Sequence, residues 1–168
     1  MREALNQLKT EGLVFFQNNR GSVVSSLSVG EVEEIYTMRM VLEEIALKRS
    51  IPNLQPANKI SAESTLRIID ESRNPLDWAT LNWRFHTSLY EAANMPILLE
   101  TVSRLHNNVG RYMVLYLDEM NYQETSQREH WELLAACSAG KTGKASKILR
   151  NHLKDAMDQT IYYMQKRK

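Results

Sequence analysis

The sequence predicts an all-α protein: an antiparallel bundle of six or seven helices preceded by a short β-hairpin. Three observations carry this. Apolar residues recur at helical spacing through six successive segments. Only six glycines and four prolines occur in 168 residues, and most of them fall between those segments. The links are a few residues long, so consecutive helices must fold back on one another.

Residues 1 to 11 read as helix, with Ala4, Leu5 and Leu8 apolar and Gly12 placed to end it. Two β-prone runs, Leu13 to Phe16 and Ser22 to Ser25, flank an Asn/Gly-rich turn and predict a hairpin. Ser28-Val29-Gly30-Glu31 is a capping box that starts a long helix near residue 29. Its apolar stripe runs Val32, Ile35, Leu42 and Ala46, with Arg39 set within it. A Pro-containing break at Ile51 to Pro56 precedes a second helix over roughly 57–71, and Asn74-Pro75 opens a third over about 76–93. Met95-Pro96 opens a fourth to about 118; a fifth covers about 122–139, and a sixth follows Gly140 to Gly143 and ends near Met164.

Composition narrows the function classes. The chain is long enough for a core of its own, and 43% hydrophobic with 24% charged residues is ordinary for a globular domain. A net charge of +1 gives no global attraction to nucleic acid, so any DNA contact must come from a local patch. A single cysteine, Cys137, rules out an internal disulfide and a cysteine-only metal site, which suits a reducing cytoplasm. No apolar run approaches the ~18 residues of a membrane span.

The third helix carries the sharpest chemical signal. Asn82, His86, Leu89 and Ala93 step by four, three and four, so an amide and an imidazole share one otherwise apolar face. His130 aligns with Leu134 and Cys137, and His152 with Ile148, Leu149 and Ala156, so each also points inward. Three imidazoles and an oxygen suit a divalent ion such as zinc, nickel, iron or manganese. The same pattern also suits core histidines satisfied by carbonyls, tyrosines or waters. His106 lies on a partly apolar stripe without a same-face oxygen and is read as an ordinary core histidine. Arg39 is open in the same way: it either pairs with Glu43 one turn on, or it holds an anionic ligand inside the bundle.

The ordered set of segments resembles a known family. REALNQLKTEGLVFFQNNRGSVVSSLS is similar to the end of a GntR-type winged helix, with its recognition helix and a two-stranded wing tipped by Arg-Gly. EVEEIYTMRMVLEEIALKRS, NWRFHTSLYEAANMPIL and EHWELLAACSAGKTGKASKILRNHL resemble successive parts of the FCD ligand-binding domain of FadR-subfamily regulators. The resemblance implies two units: residues 1–27 as the C-terminal part of a winged helix, and 28–168 as an effector-binding and dimerisation domain. It implies a metal site at Asn82, His86, His130 and His152, and a small carboxylate effector held by Arg39. Apart from the resemblance, Arg111 on the fourth helix, beside Asn107 and Asn108, is a further candidate carboxylate contact. Arg2, Arg20 and Gly21 would face an operator, and the protein would act as a cytoplasmic homodimer.

Two departures from the family pattern bear on this. Asn82 stands where the family often has aspartate, so one anionic ligand becomes a neutral oxygen donor. The chain also starts inside the recognition helix; without the helices that precede it in the family, this polypeptide is expected to bind DNA poorly. Two rival readings remain. One is a metal-free regulator of the same fold. The other is a metal-dependent hydrolase, for which a general base is lacking: Glu129 is turned about 100° from its neighbour His130, and Glu132 is no better aimed.

Overall fold

The first long helix, α1 (Val29–Ser50), begins where a reciprocal cap satisfies its free amides. The Ser28 side chain accepts from the Glu31 amide at 3.2 Å, and Glu31 accepts from the Ser28 amide at 2.7 Å. The computed structural model describes residues 3–6, 14–17, 21–24, 26–72, 74–120 and 123–166. Residues 3–6 are helical, and β1 (Val14–Gln17) pairs antiparallel with β2 (Gly21–Val24). Gly21 sits at φ +73°, a backbone conformation that side chains with a Cβ rarely adopt, at the point where the hairpin returns. Arg2 and Arg20 fall outside the described residues.

Five helices follow α1: α2 (Pro56–Glu71), α3 (Pro75–Tyr90), α4 (Pro96–Met120), α5 (Gln123–Ser138) and α6 (Thr142–Lys166). Prolines at the first positions of α2, α3 and α4 lose no hydrogen bond there, and their fixed φ favours the start of a helix. Helix α5 stops at Gly140 (φ +68°), where the Gly140 amide reaches Cys137 O and the Lys141 amide reaches Ala136 O, the 5→2 and 6→1 pattern of a Schellman end.

The helices run antiparallel, as the short links require. Tyr36 meets Thr160 and Glu44 meets Arg150 across α1 and α6. Lys59 meets Ser138 and Gln127 meets Leu66 across α2 and α5, while Asn82 meets Met113 across α3 and α4. Phe85, Leu89, Leu66, Leu149 and Leu47 are fully enclosed at the centre. Each such side chain contributes on the order of 1.5–3 kcal/mol by leaving water.

Two details differ from the expectation. Helix α3 ends at Tyr90, and Glu91–Ala93 form a 3₁₀ turn closed by Asn94 at φ +52°, so Ala93 leaves the face it was placed on. In α1 the buried stripe includes Tyr36, Glu43 and Leu47, whereas Leu42 is only half-buried. The stripe turns toward Glu43 because Arg39 inside the bundle needs a counter-charge. One further contact ties the hairpin side to the bundle: the Leu27 amide donates to the Tyr112 hydroxyl on α4 at 2.9 Å.

Candidate metal and effector site

His86 on α3, His130 on α5 and His152 on α6 meet in the bundle centre. All three are buried, and one nitrogen from each lies within 4.8 Å of the others. Helical spacing aims each of them: His86 shares a face with Leu89, His130 with Leu134 and Cys137, and His152 with Leu149.

Each ring is held through Nδ1 by a different partner, and each partner dictates where the proton sits. Tyr90, one turn after His86, donates its only proton to Glu43 Oε2 at 2.7 Å. Its oxygen can therefore only accept from His86 Nδ1, 3.1 Å away. The Gln127 amide nitrogen donates to Leu66 O and Asp70 Oδ1, both at 2.9 Å, which turns its oxygen to His130 Nδ1 at 3.2 Å. Glu129 Oε2 lies 2.8 Å from His152 Nδ1 and accepts from it. Each ring thus places a hydrogen on Nδ1, which leaves Nε2 on the other side of the ring.

Those Nε2 atoms converge. His130 Nε2 and His152 Nε2 are 3.3 Å apart, and with the protons on Nδ1 neither can donate to the other. Two facing lone pairs repel unless a cation lies between them. Tetrahedral zinc with bonds of 2.0–2.1 Å separates its nitrogens by about 3.3–3.4 Å, so the spacing fits such an ion. Asn82 supplies the oxygen: it is 4% exposed, its Nδ2 donates to Met113 Sδ at 3.6 Å, and Oδ1 has no partner among the described residues. The donor set fits a divalent cation, since the residues that would hold it have their second nitrogens already engaged.

Burial favours the neutral form of two of these rings. Burial, with the neighbouring histidines adding to it, pushes His86 and His130 well below the usual imidazole pKa of 6.5. Burial and the Glu43 carboxylate push Tyr90 well above its ordinary 10.0.

Arg39 lines the same cavity as Asn82, His86, His152 and Met113. Of its two expected roles the pair with Glu43 is present: Nε donates to Oε1 at 2.7 Å, with both residues buried. Burial disfavours its charge, but Glu43 offsets this and keeps the guanidinium ionised. The cavity holds about 20 Å³, room for one water-sized body, so a larger guest requires its walls to give.

His106 stays outside this group. It is buried, stacks on Trp83 at 4.3 Å, and its Nδ1 has no partner among the described residues. Arg111 lies on α4, and its side chain is outside the described residues.

Three partners escaped the sequence reading. Tyr90 is four residues after His86 and Gln127 three before His130, so the same-face rule could have found both. Glu129 could not be found that way: its partner is His152 on the next helix, away from adjacent His130.

The FCD domain family matches residues 34–155. The HTH-type transcriptional repressor GlaR of Escherichia coli K12 is 30% identical over 164 residues, spanning 91% of this chain and 74% of the repressor. The crystal structure of a GntR-family regulator from Pseudomonas syringae pv. tomato DC3000 superposes with a TM-score of 0.78 at 28% identity, covering 99% of this chain and 70% of that one. The structure described as the metal-free FCD domain of TM0439 superposes with a TM-score of 0.68 at 17% identity, over 84% and 99% of the two chains, a likeness of fold alone.

Proposed function

This chain belongs to the FCD domain family of GntR-type transcriptional regulators, and from that premise we propose that its helical unit senses a small organic acid at a buried divalent-metal site. Residues 28–168 form the effector-binding and dimerisation unit, and residues 1–27 close a winged helix whose Arg2, Arg20 and Gly21 face an operator. The protein acts in the cytoplasm as a homodimer, one DNA-binding head per half-site.

One observation carries the reading. Three buried histidines have their Nδ1 protons committed to Tyr90, Gln127 and Glu129, which leaves Nε2 lone pairs facing inward at 3.3 Å between His130 and His152. His86, His130, His152 and Asn82 would hold zinc, nickel, iron or manganese; a bound ion of this kind offers a carboxylate an open position. Arg39 would meet the same carboxylate from the α1 side.

The signal leaves the cavity along α4. Met113 forms part of its wall and touches Asn82, and the next residue toward the N-terminus, Tyr112, holds the Leu27 amide. A ligand that prefers one placement of α4 therefore biases the chain leading to the DNA-binding head, by no more than its difference in affinity for the two placements. Sensing, not turnover, suits this site: Glu129, the nearest carboxylate to the histidines in sequence, is already engaged by His152.

A metal-free regulator is the second reading, favoured by the neutral amide at Asn82. The test is the melting temperature of chelator-treated protein with added zinc, nickel or manganese. The metal reading expects a rise that grows with metal concentration and vanishes in His130→Ala. A wild-type melting temperature indifferent to all three ions, with and without acetate, contradicts it.

A further inference from the structure

The donor set contains no negative charge. His86, His130 and His152 offer imidazole nitrogens whose Nδ1 is hydrogen-bonded elsewhere, and Asn82 offers an amide oxygen. Among the described residues, neighbouring acids supply little. Tyr90 donates its hydroxyl proton to Glu43 and so brings no charge of its own. Glu43 is committed to Arg39, so that pair is neutral as a whole. Asp155, near His152, is only partly buried and faces water. Among the described residues, the one carboxylate hydrogen-bonded to a ring of the trio is that of Glu129, on the far side of His152.

Bringing a divalent ion here therefore leaves one positive charge over inside a buried cavity, after Glu129 offsets the other. An uncompensated buried charge is costly. Asn82 and Arg39 line the same cavity, so a guanidinium, though paired with Glu43, stands beside the space an anion would enter.

We propose that Asn82 makes this a two-ligand site, in which a divalent cation and a small monocarboxylate each bind tightly only when the other is present. This rests on the metal reading above and adds to it the charge class of the effector and the residue that sets the dependence. An aspartate at position 82 would supply the missing charge from the protein, and the cation would then bind alone. The wild-type asparagine transfers that task to the ligand, so the sensor responds to the pair. Coupling is reciprocal: whatever acetate does for zinc, zinc does for acetate by the same factor.

The test titrates chelator-treated protein with zinc by calorimetry, in perchlorate with and without added sodium acetate, for wild type and Asn82→Asp. The wild type should bind zinc roughly 5- to 150-fold more tightly with acetate. Asn82→Asp should bind zinc in perchlorate roughly tenfold or more tightly than wild type and lose most of the acetate dependence. Acetate affinity of the wild type, measured by NMR with and without zinc, gives the reciprocal factor and needs no variant to fold. Equal zinc affinity of the wild type with and without acetate overturns the proposal while leaving the metal site standing. An acetate dependence that survives in a folded Asn82→Asp overturns the role of Asn82. Zinc binding to neither protein overturns the metal reading and this proposal with it.

Discussion

Two groups of buried histidines lie side by side in this bundle, and they differ in one respect. His106 is as enclosed as the others, stacks on Trp83, and has an Nδ1 without a partner among the described residues. His86, His130 and His152 each have Nδ1 fixed by an acceptor on their own or a neighbouring helix. Burial alone is thus no mark of a site. What distinguishes the trio is that its tautomers are set from outside, so that the inward nitrogens are free to act together.

Removing one imidazole from each group should separate the two. His130→Ala should abolish stoichiometric zinc binding in calorimetry, while His106→Phe should leave zinc affinity near the wild-type value. Equal losses would erase the distinction. A subtler cut removes the outside partner and keeps the ring. Gln127→Leu should weaken zinc by roughly 10- to 100-fold, and ¹⁵N NMR should show the His130 proton no longer confined to Nδ1. Zinc affinity unchanged in a folded Gln127→Leu would show that the amide merely fills space.

Acidity probes what the two groups share. Burial depresses the folded-state pKa of His86, His106 and His130 below 6.5. The unfolded chain therefore takes up protons first, and metal-free protein should lose stability as pH falls below about 6.5, with no such loss above it. Urea melts across that range should show the slope, and His106→Phe should reduce it by one histidine's share. The smallest effect expected is that of Tyr112→Phe. It removes the acceptor of the Leu27 amide and should cost about 1 kcal/mol, with zinc affinity unchanged because no histidine partner is touched.

How much of this was legible in the sequence follows from the range of each interaction. Apolar spacing placed all six helices, because amphipathic periodicity is a local property that packing then uses. The same spacing brought Asn82 and His86 onto one face and aimed His130 and His152 inward. It also allowed the Arg39–Glu43 pair, one turn apart, which the structure contains. Tyr90 and Gln127 obey the same rule, so their omission was a failure to ask what holds each ring. Glu129 is another matter. Its bond to His152 depends on how α5 and α6 are rotated against each other, which no spacing within one helix encodes. The end of α3 was misplaced by three residues because Glu91–Ala93 tighten into a 3₁₀ turn that keeps helical spacing in the sequence.

The central claim is that the trio exists to hold a cation. Elemental analysis of protein purified without chelators or nickel resin, wild type beside His130→Ala, tests it most directly. The account predicts near-stoichiometric divalent metal in the wild type and its loss in the variant. A wild-type protein without metal, even after supplementation with zinc and a carboxylate, would contradict it.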